Sequence, residues 1–238
     1  MTPAAASAEI FRCSWSLYDT IVAHDYMAHR EIQERVAPVL AGRAAQGPYT
    51  LLDLGCGNAR WLGDTLRLSP PARYLGVDLS RAALDEAAVH LRALRSVRLL
   101  EQDLLACVQG TAPASFDVVY SGFAVHHLGA ADKQRLFEAV RAVLTPAGEF
   151  LLVDVVREEG QSREQYLENY LAMVRSQWTS LGPEQYEEVA RHITAHDFPE
   201  TQSALEGMAR EAGFDGMALL GRFGAHQVLR FARSGSGK

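Results

Sequence analysis

The chain has 238 residues, 48 % of them apolar and 22 % charged, with a formal net charge of −6. That length suits one well-cored domain with room for an appended segment, and the balance is that of a globular chain, not a disordered one. The acidic excess argues against nucleic acid as the partner, because phosphate binding draws on clustered Lys and Arg, and no apolar run approaches the eighteen residues of a membrane span.

The start, "MTPAAASAEIFR", has no basic stretch ahead of an apolar core, so no signal peptide is expected. Cys13, Cys56 and Cys107 are odd in number and far apart. They form neither a disulfide framework nor a C-x-x-C pair, which points to a reducing cytoplasm. Residues 9–46 read as helical, with Ile32, Val36, Val39 and Leu40 at helical spacing and Pro38 as a kink or a stop. Gly47-Pro48 breaks the chain.

Strands and helices then alternate. "YTLLDLG" (49–55) is a strand apolar enough to be buried on both faces. "NARWLGDTLRL" is a helix stopped by Pro70-Pro71, and "YLGVDL" (74–79) is the second strand. Ser80 is placed to cap the next helix. "VRLLEQDL" (97–104), "FDVVYSGFA" (116–124) and "EFLLVDVV" (149–156) are the third, fourth and fifth strands. The helix "DKQRLFEAVRAVL" precedes the fifth and ends at Thr145-Pro146-Ala147-Gly148.

This rhythm predicts an α/β fold, a doubly wound and mostly parallel sheet with ligands at the carboxyl ends of its strands. It breaks at residues 157–200, two predicted helices (161–178 and 183–196) split by Gly182-Pro183. That stretch holds nine acids against four arginines, nearly the whole acidic excess. A helix and two strands close enough for an antiparallel hairpin follow, and "SGSGK" reads as a disordered tail. The expected organisation is therefore an N-terminal helical segment (1–47), a core (48–156 and 201–233), an inserted helical lid (157–200) and the tail (234–238).

"LLDLGCGNAR" (51–60) turns through two glycines after the first strand. Glycine there lets a ligand touch backbone that a Cβ would shield. A dinucleotide fingerprint would carry a third glycine where Arg60 stands, followed here by Trp61. Asp53, two residues before Gly55, suits an amine-bearing ligand better than a pyrophosphate. Asp78 at the end of the second strand can accept from ribose hydroxyls, and Asp103 at the end of the third can accept from an adenine amine. Each acid alone is as well explained by a helix cap or a loop; the three together point to a phosphate-free nucleoside.

With "YLGVDLS", "EQDLL", "FDVVYSGFAVHHL" and "LTPAGEFLLVDVV", this segment resembles the class I S-adenosylmethionine-dependent methyltransferases. The resemblance implies a seven-stranded Rossmann-like sheet with an antiparallel last strand. It implies S-adenosylmethionine as cofactor and S-adenosylhomocysteine as product. Gly55, Cys56 and Gly57 would lie against the methionine half, with Asn58 where a third small residue is frequent. Asp53 would order the amino group, Asp78 with Leu79 would hold the ribose, Asp103 with Leu104 would frame the adenine, and Ser121 would border the methionine. An N-terminal segment often closes over the cofactor in this family, which would bring Arg30 to the methionine carboxylate and Tyr18 or Tyr26 to the sulfonium.

For the acceptor, candidates come from histidines and aromatics. His126 and His127 follow the fourth strand and read as a base, half of a metal site, or a pair that packs beneath the cofactor loop. Tyr26, His29 and Arg30 would share a helix face. Tyr166 and Tyr170, four apart, with Trp178 would either wall an acceptor pocket or pack the lid to the body. His192 and His196 are also four apart, but "HITAH" lacks the glutamate of H-E-x-x-H. No metal is expected, and His196 is taken as a substrate contact. The expected protein is a cytoplasmic monomer or homodimer that methylates a small molecule. The alternatives are a methyltransferase acting on protein or RNA, and a binding protein without transfer activity.

Overall fold

A computed structural model describes residues 15–232, apart from the side chains of Trp15, Ser16, Tyr18 and Asp19. The expected tail, residues 9–14 of the expected first helix and the Tyr18 side chain fall outside the described residues. The chain runs α1 (Trp15–Ala23), α2 (His29–Ala45), β1 (Thr50–Leu54), α3 (Arg60–Leu68), β2 (Arg73–Asp78), α4 (Arg81–His90), β3 (Val97–Glu101) and α5 (Leu104–Gln109). It continues through β4 (Phe116–Gly122), a 3-10 turn (Val125–His127), α6 (Ala130–Val143), β5 (Leu144–Arg157), α7 (Arg163–Gln177) and α8 (Pro183–His196). Last come β6 (Glu200–Thr201), α9 (Gln202–Glu211), β7 (Gly216–Phe223) and β8 (His226–Ala232).

The main sheet has the order β3-β2-β1-β4-β5-β8-β7, and the two-residue β6 adds to the end of β5. The strands from β3 to β5 are parallel, while β8 runs antiparallel to both β5 and β7. The doubly wound sheet and its antiparallel last strand are as the sequence predicts. Strand order reverses beside β1, so a crevice opens where β1 meets β4.

Alternation along the central strands divides the core. Leu51, Val118, Leu151 and Val153 face α2 and α3, packing with Ile32, Val36, Leu40, Leu62 and Leu66. Leu52, Val119, Phe150 and Leu152 face the other way, onto Phe137, Phe214 and Phe231. Successive strand residues point to opposite faces, and each buried large side chain contributes about 1.5–3 kcal/mol. A third cluster joins α1, α7 and α8 through Leu17, Ile21, Tyr170, Val174, Trp178 and Ile193, with Val155 of β5 beneath.

Local chemistry sets the boundaries. Ser80 caps α4, its Oγ accepting from the Ala83 amide. Ser162 and Gln165 form a capping box on α7, and Pro183 opens α8. The predicted N-terminal helix is in fact two. Asp25 and Ala28 take left-handed backbone (φ 54° and 57°), and Asp25 accepts from the Arg30 amide at 3.4 Å. Tyr26 therefore lies in the break and does not share a helix face with His29 and Arg30. Pro38 does not stop α2; it sits on the exposed side, where water can serve the carbonyl that lacks its N–H. β3 ends at Glu101, ahead of expectation, because Asp103 leaves the strand to cap α5. β5 starts earlier than expected: Leu144 pairs with Phe116 before an excursion brings Glu149 opposite Val118.

Candidate functional site

The turn after β1 is pinned to β2. The amides of Gly55 and Cys56 both donate to the Val77 carbonyl at 2.9 Å. Gly55 has φ +73°, and a Cβ there would stand 2.4 Å from the Ala124 Cβ. Gly57 (φ +51°) follows, and its amide donates to Asp78 Oδ2 at 2.8 Å while the Ser80 amide donates to Oδ1 at 2.8 Å. Asn58 Oδ1 accepts from the Arg60 amide, and its carbonyl accepts from His90 Nδ1 at 2.8 Å. The turn is thus built from backbone, with side chains of β2 and α4 as its supports.

Over it lies one face of α2. His29, Ile32, Gln33 and Val36 line a cleft together with Asp53, the 55–62 turn, Tyr120, Gly122 and Phe123. Gln33 ties α2 to α3, donating to the Trp61 carbonyl (3.1 Å) and Thr65 Oγ1 (2.7 Å). His29 stacks on Trp61 with ring centroids 5.1 Å apart and meets the edge of Phe123 at 5.5 Å. Phe123 holds a left-handed φ of 55°, a conformation that costs a non-glycine residue stability and gathers at functional sites.

Polar atoms without partners collect around this cleft. Asp53 is 1 % exposed; its Oδ2 accepts from the Tyr74 hydroxyl at 2.6 Å, but its Oδ1 has no hydrogen bond within the protein. The same holds for both ring nitrogens of His29 and for Trp61 Nε1, all buried. His29 Nδ1 does stand 3.6 Å from Asp25 Oδ1, too far for a hydrogen bond. Buried polar groups are nearly always paired, so a cleft that gathers an unpaired acceptor, a donor and an imidazole is built for a ligand that pairs them. Burial, opposed by the Tyr74 hydroxyl and reinforced by the charge of Asp78, pushes the Asp53 carboxyl up to about 7. Burial pushes His29 down to about 4, the Asp25 carboxylate notwithstanding, so the imidazole is neutral at physiological pH. Asp78 is also raised by burial, against the amides that hold it.

The expected cofactor set falls into two groups. Asp53, Gly55, Cys56, Gly57 and Asn58 line the cleft. Asp78, Leu79, Asp103 and Leu104 follow along the strand ends outside its lining. Asp103 Oδ1 accepts from the Ala106 amide at 2.9 Å, so it is a helix cap as well as a candidate for adenine. Two expectations need correction. Ser121 is fully buried and its Oγ donates to the Leu54 carbonyl at 2.8 Å; its neighbours Tyr120 and Gly122 face the cleft, as strand alternation requires. Arg30 is exposed outside the cleft, with Nε 3.6 Å from Asp25 Oδ2.

The expected acceptor set is likewise dispersed. Of His126, His127, Tyr26 and His29, only His29 lines the cleft. Tyr26 stacks on Trp178 and bonds Ser180 through its hydroxyl, which fastens the α1–α2 break to the loop after α7. Tyr166, Tyr170 and Trp178 are 3 %, 6 % and 5 % exposed and pack α7 onto the body; Tyr170 bonds His226 Nε2 at 2.8 Å. They form no wall of the cleft. His126 and His127 lie beyond it, His126 Nδ1 against Asp154 and His127 Nδ1 donating to the His196 carbonyl at 3.1 Å. His196 therefore contributes backbone to that pair and does not line the cleft. Trp61, Gln33 and Phe123 were missed; a tryptophan beside the position of a fingerprint's third glycine was the signal for the first.

A methyltransferase domain model matches residues 52–150. An uncharacterised methyltransferase of Synechocystis sp. is 32 % identical over 108 residues, which span 45 % of this chain and 47 % of that protein, so the match covers about half of each. Magnesium protoporphyrin IX methyltransferase of Synechocystis, solved with S-adenosylhomocysteine, superposes with a TM-score of 0.67 at 15 % identity, covering 98 % of this chain and 100 % of the other. The 1,6-didemethyltoxoflavin N1-methyltransferase of Burkholderia thailandensis gives 0.61 at 16 % identity, covering 98 % and 91 %. At such identities the structural likeness is one of fold. The matched domain, the doubly wound sheet and the glycine turn with its buried acid agree: residues 52–150 match a methyltransferase domain, and the chain has the fold of the S-adenosylmethionine-dependent methyltransferases to which it is similar.

Proposed function

We propose that this protein transfers a methyl group to a small molecule held between the glycine turn and α2, with His29 taking the acceptor's proton. The observation that carries the reading is the convergence of Asp53 Oδ1, the His29 ring nitrogens and Trp61 Nε1, all buried and unpaired, on one cleft. Bound there, S-adenosylmethionine supplies a methyl carbon activated by its sulfonium. Asp53 fits the methionine ammonium, Trp61 Nε1–H offers a donor to its carboxylate, and Asp78 has lone pairs left for a ribose. His29 Nε2, neutral by burial, accepts the proton of an O–H or N–H nucleophile as the new bond forms. Trp61 and Phe123 flank that imidazole and keep water from it. A cleft of this kind, with an acidic protein around it, favours a small acceptor over RNA. The two structurally similar enzymes named above act on a porphyrin and on a toxoflavin precursor, which supports the same class of acceptor here.

The test is methyl-labelled cofactor with fractionated cell extract. Label is expected in the small-molecule fraction; label confined to protein or RNA, or none despite tight S-adenosylhomocysteine binding, overturns the reading. With an acceptor in hand, His29→Phe, which keeps the stack on Trp61, is expected to lower kcat by about 10²–10⁴ with cofactor affinity little changed. Arg30→Ala is expected to leave S-adenosylhomocysteine affinity within about twofold by calorimetry, because an exposed ion pair contributes only about 0–1 kcal/mol. The inserted lid and its boundaries at 157 and 200 belong to this proposal as the element that orders α1 and, through the Tyr26–Trp178 stack, the His29 end of α2.

A further inference from the structure

Outside the cleft, four histidines and two aspartates gather where α8 meets the turn after β4. His126 and His127 come from that turn, His192 and His196 from α8, Asp197 from its C-terminal cap, and Asp154 from β5. The ligand atoms that His126, His127 and Asp197 offer lie within 4.8 Å of one another. Asp197 is 3 % exposed, and its Oδ1 has no hydrogen bond. That oxygen stands 3.6 Å from His126 Nε2 and 3.6 Å from His127 Nδ1, too far for a hydrogen bond to either.

We propose that His126, His127 and Asp197 bind a divalent transition-metal ion of the zinc type, which clasps the α7–α8 insert to the core. Zinc holds imidazole nitrogen and carboxylate oxygen at about 2.0–2.2 Å, which puts tetrahedral donors about 3.3–3.5 Å apart. The 3.6 Å between His126 Nε2 and Asp197 Oδ1 is close to that edge. His126 is already oriented from behind: its Nδ1 meets Asp154, which turns Nε2 toward Asp197. An oxygen acceptor behind a ligating imidazole is the usual support of metal-bound histidine. His127 turns Nδ1 toward the same Asp197 oxygen, and that nitrogen would exchange its hydrogen bond to the His196 carbonyl for the ion. Two neutral imidazoles with two carboxylates, Asp197 in contact and Asp154 behind, balance a doubly charged ion. The nearby ammonium of Lys133 is matched by Glu200 at 3.3 Å. His192 lies edge-on to His127 with ring centroids 5.3 Å apart.

The ligands come from two places, the post-β4 turn and the end of α8, so the ion would stabilise their junction. The test uses the full chain stripped with a chelator, Zn²⁺ alone in calorimetry, and Co²⁺ as a spectroscopic probe. Expected are one Zn²⁺ per chain with Kd at or below about 1 μM, a rise in Tm on adding it, and the strong visible absorption of four-coordinate Co²⁺. Asp197→Asn and His127→Gln are each expected to weaken Zn²⁺ at least tenfold and to lose the Co²⁺ spectrum. Retained S-adenosylhomocysteine binding serves as the check on folding. The proposal is overturned if the wild-type chain takes up no Zn²⁺, or if either variant that still binds S-adenosylhomocysteine keeps wild-type affinity and spectrum.

Discussion

Asp53→Asn is expected to lose most of the cofactor affinity and, at the same time, to make the ligand-free protein more stable. The carboxylate is buried under the glycine turn with one oxygen on the Tyr74 hydroxyl and the other unpaired. An ammonium set against that free oxygen gains a charge-assisted hydrogen bond in a site sheltered from water. Removing the charge costs about 2–4 kcal/mol, which is about 30–700-fold in Kd. Stability moves the other way. Folding raises the Asp53 carboxyl from its ordinary value near 3.8 to about 7. The folded chain therefore binds more protons than the unfolded chain across that window, and stability falls as pH rises through it. Above pH 7 the whole cost of the buried charge is present. Asparagine keeps the shape and an acceptor for Tyr74 without the charge, so at pH 8 a gain of about 1–2 kcal/mol is expected, or about 2–8 °C in Tm. At pH 5, partway between the unfolded and folded pKa values, the gain should shrink to less than half of that. The same linkage makes wild-type affinity for S-adenosylhomocysteine fall about tenfold per pH unit below 7. Calorimetry at pH 8 and pH 6, with melts at pH 5 and pH 8, checks all of this. Unchanged affinity in the variant, or a lower melting temperature at pH 8, would sink the role given to Asp53.

Much of this site is legible in the sequence because it is made of backbone. A strand apolar on both faces, ended by an acid and two glycines, has few folds available to it, and Asp53, Gly55 and Gly57 stand where that pattern places them. Side-chain direction is harder to read. Period two says that Ser121 and Tyr120 face opposite ways, but not which of them faces β1's carbonyls and which the cleft; that parity is set by register with β1. Tyr166 and Tyr170 at i and i+4 define a face without naming what covers it, and the cover is α1 and β5. Arg30 and Tyr26 are misread because the break between α1 and α2 contains neither glycine nor proline. Asp25 and Ala28 take left-handed backbone without a local signal, in a break where Asp25 accepts from the Arg30 amide and Tyr26 between them bonds Ser180. The histidine cluster is invisible for another reason. Its members are separated by up to 71 residues of sequence, and only the return of α8 to the post-β4 turn brings them together.

Gly55→Ala is expected to be the most damaging single methyl in the chain. Two costs add. Left-handed backbone at φ +73° costs an L-residue about 1–2 kcal/mol. The new Cβ would also stand 2.4 Å from the Ala124 Cβ, with no long side chain to swing away, so the turn or the start of the 3-10 segment must shift. Overpacking of that kind costs about 1–3 kcal/mol more. Gly57→Ala separates the terms, since its φ is +51° but nothing lies within 4 Å of the added carbon. It should cost only the backbone share. Ala124→Gly separates them again from the other side. In Gly55→Ala it should return the steric share and leave the backbone share, a coupling of about 1–3 kcal/mol in a double-mutant cycle. Urea unfolding of the five proteins supplies the cycle. If Gly55→Ala is no worse than Gly57→Ala, or Ala124→Gly gives no rescue, the close approach of the turn to Ala124 is not what holds it. If rescue appears in stability but S-adenosylhomocysteine affinity stays low, the cofactor needs the glycine's own backbone freedom, and not merely the room that Ala124 leaves it.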